Sequence, residues 1–123
     1  MNEPIPTDLR ERTFQFSVRV ARLVAALARG ENVRPLGSQL LRAGTSVGAN
    51  YRAARRARSK AEFVAKLGIV EEECDETIYW IELLTALGHV KPTRTKDLLD
   101  EAHQLLAITI SSIKTARTSL KKS

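Results

Sequence analysis

The sequence predicts an all-α protein, an antiparallel up-and-down four-helix bundle that forms a single domain over residues 1–123. Three observations lead to this prediction. Apolar residues recur every three or four positions along four long segments, which is the period of an amphipathic helix. The links between these segments are short, so neighbouring helices must run antiparallel. Apolar residues make up 43% of the chain and charged residues 28%, so a core can form without disulfides or a metal.

The first two predicted helices cover residues 7–29 and 35–56. Gly30 is expected to end the first helix in a left-handed conformation. Gly44 and Gly48 lie one turn apart in the second helix, where each costs about 1 kcal/mol relative to alanine. That cost indicates a compensating close approach of a neighbouring helix, either within the bundle or in another subunit. The apolar stripes of the two helices are Phe16, Val20, Leu23 and Leu27, and Leu36, Leu40, Ala43, Val47, Tyr51 and Ala54.

The third and fourth predicted helices cover residues 60–87 and 95–120. Ser59 and Glu62 have the spacing of a capping box, in which each residue satisfies a free backbone N–H of the other. Acidic residues begin the fourth helix and lysines end it, and both placements complement the helix dipole. The apolar stripes are Phe63, Leu67, Val70, Cys74, Ile78 and Ile81, and Leu99, Ala102, Leu106, Ile110, Ile113 and Leu120.

Further apolar residues flank the main stripes of the third and fourth helices. A helix in a four-helix bundle needs one apolar stripe about 100° wide, and these residues exceed it. An exposed patch of this kind marks an interface, so we expect the chain to associate with copies of itself. A larger core is the alternative. The predicted interface residues are Trp80, Leu83, Leu98, Leu105 and Ile108.

Basic residues concentrate in the first half of the chain. The formal net charge is +6, but residues 1–66 carry +8 and residues 67–123 carry −2. No acidic residue interrupts the run from Arg52 to Lys60, and three of its arginines share one helix face. Arginines bind phosphates through charge and forked hydrogen bonds, which predicts a nucleic-acid site, whereas helix-dipole compensation and solubility are the alternative. The predicted site comprises Arg52, Arg55, Arg56, Arg58, Lys60 and Lys66.

An acidic run occupies residues 71–76 of the third helix. Glu72 and Glu76 lie one turn apart there, as do Ser46 and Asn50 on the second helix. Hydrogen bonds between the two pairs would form a buried structural polar network that sets the register of the helices. The alternative is that these acids lie on the surface and pair with lysine or arginine.

The sequence contains no glycine-rich phosphate loop, no zinc-protease motif and no cysteine pair. His89 and His103 do not form a recognisable ligand pair, and neither has the arginine spacing of a HEPN-type ribonuclease. We therefore expect no catalytic residue, no cofactor and no metal site. No apolar segment is long enough to span a membrane, no signal peptide begins the chain, and Cys74 has no partner for an internal disulfide, so we expect a cytoplasmic protein.

The stretch from Ser38 to Leu84 carries the segments SVGANYRAA, RSKAEFVAKLGI and EECDETIYWIELL. In these segments the chain resembles the four-helix-bundle proteins called 23S rRNA intervening-sequence proteins. The resemblance implies an antiparallel four-helix bundle, assembly as a ring-like homopentamer, and no catalytic residues. Related proteins, the accessory variability determinants of diversity-generating retroelements, bind nucleic acid and a reverse transcriptase through a basic surface. The matching residues imply a structural role for Ser46, Asn50, Glu76, Tyr79 and Trp80 and a basic segment with Arg52, Arg55 and Arg58.

The leading hypothesis is a non-enzymatic homo-oligomer of uncharacterised role that binds RNA or other nucleic acid nonspecifically through its basic surface. The partners expected are further copies of the chain, RNA or DNA, and a reverse transcriptase or other protein, but no membrane. The alternative is a protein-interaction scaffold without nucleic-acid binding.

Overall fold

The computed structural model describes residues 8–122. Residue 7, the predicted start of the first helix, lies outside the described residues, as do the other terminal positions of the predicted domain. The four helices are α1 (Leu9–Ala26), α2 (Arg34–Arg55), α3 (Lys60–Ala86) and α4 (Pro92–Lys122). The described residues contain no strand. The prediction of an all-α chain of four helices is confirmed, and each predicted helix end within residues 8–122 is at most three residues from the observed one.

Side chains cap the start of two helices. The Asp8 carboxylate accepts a hydrogen bond from the Arg10 N–H at 2.9 Å. The Ser59 hydroxyl accepts one from the Glu62 N–H at 3.1 Å, which is half of the predicted capping box. The other half is displaced by one residue, because Glu62 Oε2 accepts from the N–H of Arg58 at 3.1 Å. Glu62 therefore holds the backbone of the link between α2 and α3.

The prediction that Gly30 ends the first helix in a left-handed conformation is wrong. α1 ends before it reaches Gly30, and within the described residues Gly88 is the glycine with a positive φ, at 80°. The Gly30 carbonyl instead accepts hydrogen bonds from the backbone N–H groups of Val33 and Arg34. These bonds form the turn that leads into α2.

The helices pack in up-and-down order, each against its neighbours in the chain. α1 also touches α4, but less closely, and the diagonal pairs lie farther apart. α1 has 18 residues and α4 has 31, or about 27 and 46 Å at 1.5 Å per residue. Arg12 in the first turn of α1 pairs with Glu101 of α4 at 2.6 Å. The second half of α4 therefore runs past the start of α1.

Gly44 and Gly48 allow α1 and α2 to approach closely, as the sequence indicates. A Cβ atom added at Gly44 would lie 2.6 Å from Val20 Cγ1, and one at Gly48 would lie 3.1 Å from the Thr13 carbonyl oxygen. The Ser17 hydroxyl lies at the same contact and donates to the Gly44 carbonyl at 3.3 Å. The two glycines are thus accounted for by packing within one chain.

Gly44→Ala is expected to lower the free energy of unfolding by about 1–2 kcal/mol. Overpacking a core costs about 1–3 kcal/mol, and the better helix propensity of alanine offsets part of it. Urea unfolding at fixed protein concentration measures the change. Val20→Ala removes the two nearest contacts, with Cγ1 and Cγ2, but keeps Val20 Cβ at 2.9 Å from the added methyl, so Gly44→Ala should cost less in this background than in the parent chain. An equal cost in both backgrounds would contradict this explanation of Gly44.

The prediction of Leu98 and Leu105 as interface residues is wrong, because both belong to the core and are 5% and 1% exposed. Their flank of α4 is buried together with two threonines, Thr95 and Thr109, which belong to neither of the apolar sets predicted for this helix. The Thr109 hydroxyl donates to the Leu105 carbonyl at 2.7 Å, so its polar group is satisfied within the helix. The buried face of α4 consists of Thr95, Leu98, Ala102, Leu105, Thr109 and Ile113.

The other three predicted interface residues, Trp80, Leu83 and Ile108, are half-buried. Apolar side chains are nevertheless exposed at several places on the described surface. The large ones are Phe14, Leu41, Ile69, Tyr79, Leu87 and Leu120. No helix within residues 8–122 combines the length and the apolar character that crossing a membrane requires.

A candidate nucleic-acid interface

A basic cleft opens at the end of the bundle where α2 ends and α3 begins. Its volume is about 880 Å³, and its walls carry six cationic side chains and one carboxylate. The residues that line this basic cleft are Arg10, Ala49, Arg52, Ala53, Arg55, Arg56, Arg58, Glu62 and Lys66.

The basic cleft brings together five of the six predicted nucleic-acid residues. Lys60 is the exception, because its Nζ donates to the Ser119 hydroxyl on α4 and its side chain lines shallower grooves beside Phe63. Arg10 of α1 is an addition, 42 residues before Arg52 in the chain. No local pattern in the sequence reveals Arg10, because only the packing of α1 against α2 brings it to the cleft.

The local sequence explains why the cations face one side. The arginines at the end of α2 are three and four residues apart and therefore share a helix face. Arg58 follows in the link whose backbone Glu62 holds. Arg55 Nη1 donates to the Tyr51 hydroxyl at 3.4 Å, and this bond raises the pKa of Arg55 above its ordinary value. The guanidinium groups remain charged at any physiological pH.

An aromatic side chain adjoins the basic cleft. Phe14 follows Arg10 by one turn of α1 and is 46% exposed. The guanidinium carbon of Arg52 lies 5.6 Å from the centroid of the Phe14 ring, within the range of a cation–π interaction. This contact links α2 to α1 at the cleft and leaves part of the ring open to solvent.

The predicted polar network of Ser46, Asn50, Glu72 and Glu76 does not form. Ser46 and Asn50 donate to carbonyls of their own helix, those of Arg42 and Ser46, at 2.7 and 2.9 Å. Glu72 is exposed. A carbonyl four residues back is always within reach of a short polar side chain on a helix, whereas a partner on the next helix must match in register.

Arg42 is instead the α2 partner of the α3 acids. Its guanidinium donates to Glu73 Oε2 at 2.9 Å and also to the carboxylate of Glu76. Trp80 Nε1 donates to Glu76 as well, at 3.2 Å. The bond from Arg42, followed by the bond from Trp80, lowers the pKa of Glu76. This arrangement is the pairing with arginine that the sequence left open as the alternative.

Cys74 is fully buried in the core. Burial, and then the neighbouring carboxylates of Glu73 and Asp75, raise the pKa of its thiol to about 12. A thiolate therefore does not form near neutral pH. Within residues 8–122, no group of three or more histidine, cysteine, aspartate or glutamate side chains is placed to hold a metal ion.

Comparison with known proteins shows a family and a similar solved structure. The model of the family described as 23S rRNA-intervening sequence protein matches residues 7–111. Among solved structures, the chain is similar to a protein of unknown function from the S23 ribosomal protein family of Bacteroides thetaiotaomicron, with a TM-score of 0.82. The two chains are 33% identical, over 87% of this chain and 99% of that one. No curated protein matches the chain.

Proposed function

The chain belongs to the family of 23S rRNA-intervening sequence proteins, and we propose that it is a non-enzymatic protein that binds RNA or other nucleic acid nonspecifically. The basic cleft carries the proposal, because it gathers six cations from α1, α2, α3 and the link between α2 and α3. The one carboxylate in the lining already accepts a backbone hydrogen bond from Arg58. The lining as a whole has a formal net charge of +5.

The chemistry of the lining suits phosphates. An arginine presents planar, forked N–H groups that match phosphate oxygens, and five of the six cations are arginines. Contacts to phosphates orient a nucleic acid but carry no sequence information. We therefore propose binding that depends on charge and backbone shape, not on base sequence.

We further propose that the chain works as a homo-oligomer, and specifically as the ring-like homopentamer that the family resemblance implies. The exposed apolar face of α3 supports this. Tyr79 and Leu87 are 56% and 54% exposed, with the half-buried Trp80 and Leu83 between them. The rings of Tyr79 and Trp80 meet edge to face, with centroids 5.0 Å apart. Five chains of +6 would carry a formal +30, and repeated clefts on one particle would add avidity.

The same apolar face of α3 favours a second candidate function, a protein-interaction scaffold without nucleic-acid binding. Its partner would be a reverse transcriptase or another protein that covers Tyr79 and Leu87. The two functions differ after nuclease treatment. A scaffold retains one protein in stoichiometric amount from a nuclease-treated lysate, whereas a nucleic-acid binder loses what it captured through nucleic acid.

The affinity for nucleic acid is expected to fall steeply with salt. If each of the six cations neutralises one phosphate, log K should fall against log[salt] with a slope of about −4 for a single strand. Fluorescence anisotropy with labelled RNA and DNA, between about 50 and 300 mM salt and on protein of measured oligomeric mass, gives this slope. Absence of binding at the lowest salt, or an affinity that salt does not change, would overturn the proposal.

A further inference from the structure

We propose that the basic cleft selects single-stranded over double-stranded nucleic acid, because Phe14 offers its ring to an unpaired base beside the phosphate-binding arginines. This inference rests on the proposed function and names the class of nucleic acid that the cleft accepts. It depends on the position of one exposed aromatic side chain relative to the cations.

Phe14 is an exposed apolar side chain that contacts a residue of the basic cleft. Single exposed apolar residues are common on protein surfaces and by themselves mean little. The ring of Phe14, however, packs under the guanidinium of Arg52, a residue of the basic cleft. The other strongly exposed aromatic residue among those described, Tyr79, contacts Trp80 on the exposed apolar face of α3.

The geometry places a stacking surface next to two phosphate-binding groups. Arg10 and Phe14 are four residues apart on α1, so they lie on the same face about 5–6 Å apart at their Cβ atoms. Arg52 reaches Phe14 from α2, at 5.6 Å from its guanidinium carbon to the ring centroid. A nucleotide whose phosphate is held by Arg10 or Arg52 has its base within reach of the ring. The residue Phe14 remains 46% exposed with Arg52 in place, so a base has a surface to contact.

A duplex cannot use this surface in the same way. Its bases are paired and stacked on one another, so only their edges are accessible from the grooves. A single strand exposes base faces, which stack on aromatic rings and on arginine guanidinium planes with little regard to sequence. The cations can bind the phosphates of both forms, and the Phe14 ring adds a contact that only the unpaired form makes. The preference follows from that difference.

Phe14→Leu tests the inference and Phe14→Tyr is its matched control. Leucine keeps an apolar side chain and a good helix former at an exposed position, but it removes the ring. Tyrosine keeps the ring at the same place. Each variant and the parent chain are titrated, at one salt concentration, with an unstructured oligonucleotide and with the corresponding duplex.

The parent chain is expected to bind the single strand more tightly than the duplex. Phe14→Leu should weaken single-strand binding about tenfold, since one stacked base contributes on this scale, and should leave duplex binding unchanged. Phe14→Tyr should behave as the parent chain does. A single strand containing 2-aminopurine should lose fluorescence on binding to the parent chain and to Phe14→Tyr, and retain it on binding to Phe14→Leu, because stacking quenches this base.

Five outcomes would overturn the inference. Duplex binding as tight as single-strand binding removes the preference itself. An equal loss of affinity for the single strand and the duplex in Phe14→Leu shows that the ring only positions Arg52. Identical binding by the leucine and tyrosine variants excludes stacking. A changed oligomeric mass for Phe14→Leu places the ring between copies of the chain. Absence of all nucleic-acid binding in the parent chain would overturn the proposed function as well. The other outcomes overturn the inference alone.

Discussion

Charge reversal of Arg52, Arg55 and Arg56 to glutamate is expected to weaken nucleic-acid binding at least about 100-fold near 100 mM salt. The variant loses three phosphate contacts at about 1 kcal/mol each, and the total of about 3 kcal/mol corresponds to this loss of affinity. All three side chains are exposed and line the basic cleft. Anisotropy titration measures the loss. The slope of log K against log[salt] should become shallower by about 2 units, at about 0.7 per phosphate for a single strand.

A matched control separates the cleft from the overall charge. Arg22, Arg29 and Arg34 are also exposed, and Arg34 begins α2, about 30 Å along that helix from Arg55. Reversing these three changes the formal charge from +6 to 0, as the cleft variant does. Binding should survive in the control at more than ten times the affinity of the cleft variant. Equal losses in both would show that diffuse charge, and not the cleft, binds nucleic acid.

The triple lysine variant at positions 52, 55 and 56 is the control for a folding defect in the glutamate variant. It keeps the charges and their favourable position at the helix C-terminus, where glutamates cost about 0.3–1 kcal/mol each. We expect it to fold as the parent chain does and to lose only a small part of the affinity, the part that depends on forked hydrogen bonds. Circular dichroism and the oligomeric mass confirm that each variant is folded before its affinity is compared.

Leu105→Ala is expected to lower the free energy of unfolding by about 3 kcal/mol, through lost burial and the cavity that remains. Leu105 is 1% exposed within one chain, so its side chain does not reach the surface. Urea unfolding at fixed protomer concentration measures the loss, since assembly would otherwise shift the apparent stability. The oligomeric mass should not change.

Leu41→Ala is the control for Leu105, since it removes the same atoms from the middle of another helix. Leu41 is 39% exposed, and its truncation should cost less than about 1 kcal/mol. If Leu105→Ala instead leaves the unfolding free energy almost unchanged and dissociates an oligomer, the side chain lies at an interface and the assignment to the core is wrong.

Most of the fold could be predicted from the sequence because helices depend on neighbours within one or two turns. The period of the apolar residues and the polar residue before α3 place the helix ends within three residues of those observed in the described chain. The short links then dictate the up-and-down order. Much of the basic cleft could also be predicted from the sequence, because five of its six cations lie close together in the chain, between Arg52 and Lys66.

The features of the fold and of the basic cleft that could not be predicted depend on contacts between residues that are far apart in the chain. Gly30 looked like a helix end, but α1 ends four residues earlier, at Ala26. Arg10 and Phe14 reach the basic cleft because the glycines of α2 allow α1 to pack closely against it. Arg42 rather than Ser46 or Asn50 meets the acids of α3, because a long side chain can span the distance between helices.

By itself, then, the sequence determined four helices, their order along the chain, and a concentration of positive charge at one turn. The tertiary structure alone decided which flank of α4 is buried. On α4, hydroxyls that donate to the carbonyls of their own helix allow Thr95 and Thr109 to line the core beside Leu98 and Leu105. The helical period specifies which residues share a face. The rotation of the helix about its axis is set by packing against its neighbours, and that rotation separates core from surface.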